Sequence, residues 1–202
     1  IRYAEELGYR IKLLGIAKSD KSGVEIRVHP TLVPEKRLVA NVDGAMNAVL
    51  VQGNMVGPTL YYGAGAGSEP TASAVAADII DIARQSKLSN KTLIPTLGFM
   101  PDKIQKKNIL SIEDIFSEFY LRFTMENKAG LLAKITQIFA EHEISINSMV
   151  HKEVQEDNQN PDIFLITSKT KESDINAIIN EIELLPENIE KIVKIRTEDL
   201  KK

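Results

Sequence analysis

The hydrophobic and polar positions change rhythm several times along this chain, and each change marks an element. "IRYAEELGY" spaces its apolar residues as one amphipathic helix that closes at Gly8. "RIKLLGIA" follows as a short, mostly apolar run of the kind that forms a buried strand. "KSDKSG" then turns the chain, and "VEIRVHP" alternates with Val24, Ile26 and Val28 on one face. The two runs predict an antiparallel pair. In "MNAVLVQGNMVGPTLYY", Gly53 and Asn54 between apolar runs predict a hairpin with a two-residue turn, and Pro58 puts its second strand at an edge or a bulge. Beyond it, Ala72, Val75, Ala76, Ile79 and Ala83 recur at helical spacing. Ser68 or Thr71 is the expected cap, Pro70 is tolerated in the first turn, and the helix is expected to end near Lys87.

From Leu88 to about Ser117 the pattern weakens, and Pro95, Gly98 and Pro101 punctuate a connector expected to drape over a neighbour. The remainder has a cleaner rhythm. Strand "EFYLRFT", loop "MENKAG", helix "LLAKITQIFAEH", strand "ISINSMVHKE", turn "QEDNQNPD", strand "IFLITSK", helix "ESDINAIINEIELL" and strand "KIVKIRT" run in the order βαββαβ. Leu131, Leu132, Ile135, Ile138 and Phe139 form one apolar stripe, and Ile175, Ile178, Ile179 and Ile182 form another. Both stripes need one sheet to cover, which predicts a ferredoxin-like sandwich with its helices on one face. The fold class is therefore α+β, a mixed or antiparallel sheet with helices on one face followed by this second domain. The expected division is 1–87, a connector at 88–117, and 118–202.

Composition narrows the classes. The chain has 202 residues, of which 43% are hydrophobic and 26% charged, as in a soluble globular protein. No apolar run approaches the roughly 20 residues that cross a bilayer, and no basic leader precedes a short apolar core, so no membrane partner and a cytoplasmic location are expected. The absence of cysteine excludes disulfides, thiolate metal sites and a cysteine nucleophile, and His29, His142 and His151 lack metal-ligand spacing. No metal is expected. A net charge of -3 without a basic, aromatic-interleaved cluster argues against nucleic acid. Asp78 and Asp81 lie on the polar face of the predicted helix and read as solvated, and His29 before Pro30 reads as structural.

Chemistry concentrates in "YYGAGAGSEPTASAV", where a strand passes through alternating Gly63, Gly65 and Gly67 into a helix. Helix N-terminal amides and side-chain-free backbone favour an anion or the polar edge of a cofactor. A dinucleotide fingerprint fails, because the last position of G-x-G-x-x-G is Ser68 and no acid-ended strand follows. A phosphate-binding P-loop fails because no Lys-Ser or Lys-Thr pair follows the glycines. The plain alternative is a tight strand-to-helix connection in which glycine only relieves crowding.

On "GYRIKLLGIAK", "VEIRVHPTLVP", "NAVLVQGNMVGPTLYYGAGAG" and "PTASAVAADIIDIAR", the first part of the chain resembles the later part of the catalytic domain of homoserine dehydrogenase. The residues after about 118 resemble an ACT domain. The resemblance implies an enzyme that reduces aspartate semialdehyde to homoserine with NADH or NADPH, in the branch leading to threonine, isoleucine and methionine. It implies that the glycine loop closes over the nicotinamide end of the cofactor, with Gly67 as the foremost contact and Gly65 and Gly63 behind it. In that family the nucleotide-binding domain, which holds most of the cofactor, and the acid and lysine motif lie upstream. A chain that opens at Ile1 with a helix already under way is thus expected to be a fragment, with no catalytic residue of its own and no activity alone.

For the second domain the resemblance implies an amino-acid effector, threonine by analogy, at the loop "MENKAGLL". Gly130 would permit close approach, the helix beginning at Leu131 would hold an α-carboxylate, Asn127 would take the ammonium, and Asn147 would reach in across an interface. Asn127 stands where an aspartate is usual and Ala129 where a proline is usual, so a weaker or altered effector response is expected. A homo-oligomer is implied, a dimer or a tetramer. Two alternatives stay open: an ACT fold that serves only to dimerise, and a free-standing amino-acid sensor with no enzyme attached.

Overall fold

A computed structural model describes residues 1–87, 95, 97–151 and 160–200. Two compact units emerge, one of Ile1–Ala40 with the chain from Asn108 onward, the other of Asn41–Lys107. These units do not follow the sequential division 1–87, 88–117 and 118–202. The reason is a strand pairing between residues far apart in the chain.

In the first unit a five-residue helix α1 (Arg2–Glu6) leads into β1 (Tyr9–Ser19) and β2 (Val24–Pro34), paired antiparallel from Tyr9↔Pro34 to Ser19↔Val24. The later elements are β5 (Phe116–Thr124), α3 (Leu131–Glu141), β6 (Ile146–His151), β7 (Asp162–Thr167), the two-residue β8 (Thr170–Lys171), α4 (Glu172–Glu183) and β9 (Val193–Thr197). The expected βαββαβ order is present, with β8 added as a short bridge to the start of β5. Strand order in the sheet is β1-β2-β9-β5-β7-β6. Thr31↔Arg196 and Leu32↔Thr197 join β2 to β9 in parallel, so the first hairpin extends the sheet of the second domain. The expected end of the sixth strand, Lys152 and Glu153, and most of the turn "QEDNQNPD" lie outside the described residues.

Both predicted stripes bury themselves on one face of this sheet. Leu131, Ile135, Ile138 and Phe139 of α3 and Ile175, Ile178 and Ile182 of α4 pack with Phe119, Leu121, Phe123, Ile163 and Leu165. Burying one such side chain stabilises by about 1.5–3 kcal/mol. Leu132 is the exception; it turns outward and is 38% exposed. On the opposite face Leu32, Tyr120, Phe164 and Ile166 meet Tyr3, Ala4 and Leu7 from the first helix and its end. The Tyr3 and Phe164 ring centroids are 4.2 Å apart.

The strand expected to be buried, "RIKLLGIA", is covered only at its start. Ile11 packs near Leu32, whereas Leu13 is 73% exposed and its face-mates across the pair, Ile26 and Val28, stand open as well. The short α1 reaches one end of the hairpin and leaves the other uncovered. The reverse face carries charge. Arg27, with its side chain 2% exposed, places Nη2 2.8 Å from Glu198 and Nε 2.7 Å from Glu25, while Lys18 Nζ meets Glu198 at 2.8 Å. Buried Glu172 takes Arg196 Nε at 2.8 Å and Nη2 at 2.7 Å.

The second unit holds β3 (Met46–Gly53), β4 (Gly57–Ala64) and α2 (Ser68–Ser86). The hairpin is present, but residues 54–56 make its turn and Gly53 pairs with Gly57, in place of a two-residue Gly53-Asn54 turn. Gly57 at φ 76° takes the left-handed position that a longer turn requires. Pro58 is accommodated because, among the described residues, the sheet has two strands, each with an edge that no third strand pairs. Of the connector, residues 88–94 and 96 lie outside the described set. Its end does drape: Asn108 and Leu110 exchange backbone bonds with Val24 at 2.8 and 3.0 Å, within the first unit.

Candidate functional site

The glycine loop leaves β4 at Ala64 and enters α2 at Ser68. Its three glycines are there for three different reasons. Gly67 is the N-cap of α2 at φ 124°, a backbone angle that side chains rarely adopt, and an added Cβ would come within 3.3 Å of Pro70 Cδ. The expected caps, Ser68 and Thr71, lie inside the helix and make no capping bond; the Thr71 amide bonds Gly67 carbonyl at 3.2 Å. Gly65 is glycine because the Asn47 side chain fills the place where its Cβ would stand, so its crowding is internal to the hairpin. Gly63 faces open space within 4 Å.

Helix α2 has no buried residue among the described ones, and Val75, Ile79 and Ile82 of its apolar side are each more than half exposed. Glu69 lies in its first turn and opposes the favourable field that the helix N-terminus offers an anion. Asp78 and Asp81 are exposed, with Asp81 holding Gln85 Nε2 at 2.8 Å. His29 sits in the polar face of β2, where Nδ1 meets Thr31 Oγ1 at 3.0 Å and Nε2 is buried without a hydrogen-bond partner. Desolvation, aided by the nearby Arg196 and Arg27 charges, keeps its pKa below the ordinary value and favours the neutral ring.

The second loop runs from β5 into α3. Gly130 caps α3 at φ 85°, in the left-handed region, with open space where a Cβ would stand. Leu131 buries its side chain in the core and donates its amide to Lys128 carbonyl at 3.3 Å, and the Lys134 amide donates to Gly130 carbonyl at 3.1 Å, so Leu132 and Ala133 carry the remaining first-turn amides at the loop. Asn127 is exposed beside them. Asn147 sits in the bulge between Ile146 and Ser148 of β6, and its Nδ2 donates to Thr167 carbonyl at 3.1 Å. That bond satisfies a ladder carbonyl within its own sheet and leaves the side-chain oxygen for other work.

Sequence reasoning passed over the charges around this loop. Lys128 pairs with Glu126 at 2.6 Å, and Lys134, one turn into α3, pairs with Glu187 at 2.6 Å. The bond from Lys134 is the main reason that Glu187 titrates below the usual carboxylate range, and the bond to Glu126 is the main reason that Lys128 titrates above the usual amine. The Glu126 amide also bonds Glu187 carbonyl at 2.9 Å, so the strand end, the loop and the segment after α4 are stitched together. Lys134 at one turn past Gly130 was the available signal; Glu187 lies 53 residues further on and gave none.

No helix among the described residues is long and apolar enough to cross a membrane. Residues 1–80 match the family model described as homoserine dehydrogenase, and residues 119–187 match the ACT domain. The chain is 48% identical over 200 residues to a homoserine dehydrogenase of Neisseria gonorrhoeae and 46% identical to one of Pseudomonas aeruginosa; each comparison covers 99% of this chain and 46% of the relative. A crystal structure of homoserine dehydrogenase from Thiobacillus denitrificans matches all of this chain with a TM-score of 0.90 at 53% identity, covering 45% of that chain. The S. aureus homoserine dehydrogenase at pH 6.0 matches 99% of this chain with a TM-score of 0.63 at 26% identity. The chain spans about half the length of the relatives it matches. Along nearly its whole length the chain is thus similar to the C-terminal region of homoserine dehydrogenases, with that family's match over residues 1–80 and an ACT domain over residues 119–187.

Proposed function

We propose that this chain is the later half of an NAD(P)-dependent enzyme that interconverts L-aspartate 4-semialdehyde and L-homoserine in the cytoplasm, and that its ACT domain senses an amino acid, threonine being the foremost candidate. The observation that carries the catalytic part is Gly67, held at φ 124° at the head of a 19-residue helix whose apolar side is open. The residues present fit one end of a nicotinamide cofactor. Gly63 and Gly67 leave backbone accessible, and Glu69 tolerates a cationic ring where it would disfavour a phosphate. When bound, the nicotinamide carries the hydride of the reaction. The role of this chain is to bring the loop backbone against the ring and to exclude water from it. Gly65 serves by keeping the loop seated on Asn47 and is not a contact that the ligand requires. The division 1–87, 88–117 and 118–202 describes this proposed division of labour, catalytic, connecting and sensing.

The sensing part rests on the open Gly130 turn, the Leu132 and Ala133 amides in the first turn of α3 and the exposed Asn127. The amides would hold an α-carboxylate and Asn127 the ammonium. An amide oxygen in place of a carboxylate gives a weaker bond to an amine, so effector affinity is expected to be modest. A homodimer, or a tetramer formed by pairing of ACT domains, fits the free edge of β6. The test is enzymatic. This chain alone is expected to oxidise no NADPH in the presence of aspartate semialdehyde, and oxidation by it would overturn the reading. Joined to the upstream half that its relatives carry, Gly67→Val is expected to weaken cofactor affinity more than it lowers thermal stability; equal losses would leave the loop a tight connection only.

A further inference from the structure

β2 and β9 pair only at Thr31 and Leu32, so the first half of β2 has no neighbour from β9. The segment at 108–110 takes that place beside Val24, and between it, the tip of the β1–β2 hairpin and the start of β5 the strands splay around a cavity of about 620 Å³. That is within the range of small-molecule sites, roughly 300–1,000 Å³. All of its walls belong to the first unit, and none of the residues assigned above to the glycine loop or the ACT loop lines it.

The wall has two chemistries. Leu110, Ile115 and the half-exposed ring of Phe116 form an apolar side. Around them stand carboxylates and ammonium groups. Asp20 uses Oδ1 to accept from the Ser22 amide at 2.7 Å, the Ser22 hydroxyl at 2.5 Å and the Gly23 amide at 3.2 Å, which leaves Oδ2 unengaged. Those bonds, the Ser22 hydroxyl first, hold it below the usual carboxylate range, so it stays ionised. Asp114 gives Oδ1 to Lys171 at 2.8 Å and keeps Oδ2. Lys169 has no partner among the described residues. The tip is also pinned: a Cβ at Gly23 would lie 2.6 Å from Asn108 carbonyl oxygen, so the hairpin and the 108–110 segment can approach only through glycine.

We infer that this cavity is a second ligand site, distinct from the ACT loop, for a zwitterionic amino acid with an apolar side chain. Lys169 receives the α-carboxylate, the free oxygens of Asp20 and Asp114 receive the α-ammonium, and Leu110 and Phe116 cover the side chain. A free cation, free carboxylate oxygens and an apolar wall in one cavity match such a molecule better than a simple anion, which the carboxylates repel, or a metal ion, which Lys169 repels.

The test is an amide NMR titration of this chain with L-methionine, with N-acetyl-L-methionine as the probe that lacks the ammonium. Saturable shifts at the Ser22, Gly23 and Phe116 amides are expected with L-methionine and not with the acetylated form. Lys169→Ala and Asp114→Asn should each weaken binding about tenfold, the loss expected for one charge-assisted contact. Lys169 has no partner among the described residues to lose, so its variant separates binding from folding. No shift at these amides up to about 10 mM, a range that detects even weak binding, would overturn the inference. So would equal shifts by both probes, or shifts confined to residues 126–132, which would leave the ACT reading standing on its own.

Discussion

At the scale of single residues, Tyr120 shows what burial between two layers does to a titratable group. Its ring lies under the first helix, stacked 6.2 Å from Phe164, and desolvation, followed by the smaller influence of Asp162, pushes its phenol up to about 12 from an ordinary 10.0. The sign follows from linkage. The fold favours the protonated form, so the contribution of Tyr120 is complete below pH 10.0 and is lost as pH rises toward about 12. Alkaline unfolding followed by circular dichroism should therefore steepen in that window, and Tyr120→Phe should flatten it. Legibility at this scale was uneven. Gly67 was readable as one of three alternating glycines where a strand runs directly into a helix, while its φ of 124° is seen only in the structure. The purpose of Gly65 was hidden, since Asn47, which crowds it, sits on the other strand of the hairpin and nothing in local spacing marks the contact.

At the scale of elements, amphipathic periodicity told most of the story in the second domain, where Ile135, Ile138, Ile175 and Ile178 all bury as their spacing requires. It failed where cover depends on length. The five residues of α1 shield one end of the β1–β2 hairpin and not the other, so "RIKLLGIA" is apolar without being buried throughout. It failed again where partners are remote, because the pairing of β2 with β9 joins Thr31 to Arg196. That junction rests on a buried charge. Arg27→Ala would leave Glu25 without its cation while Glu198 keeps Lys18, so the cost should fall below the roughly 3–5 kcal/mol of a fully buried pair that loses one member. Urea unfolding should show that loss, and Arg27→Ala combined with Glu198→Gln should recover part of it.

For the molecule as a whole, the two units differ in how much they bury. The first has two apolar clusters, whereas α2 in the second has no buried residue among those described. Local opening takes least free energy where buried contacts are fewest. Amides of Ala72–Ala83 should accordingly exchange with deuterium far faster than those of Ile163–Ile166, and equal protection would mean that the apolar side of α2 is covered in solution. That contrast also explains why the family likeness was legible from residues while the packing of the first hairpin with the last strand was not: motifs are local, but compactness depends on which surfaces find a partner.

The sensing role is the claim most exposed to a single experiment, calorimetric titration of the purified chain with L-threonine alongside Asn127→Ala. Saturable heat in the native chain that disappears in the variant, at an unchanged melting temperature, is the predicted result. An absence of heat in the native chain, or equal binding by the variant, would contradict the account and leave the ACT domain as a surface for assembly.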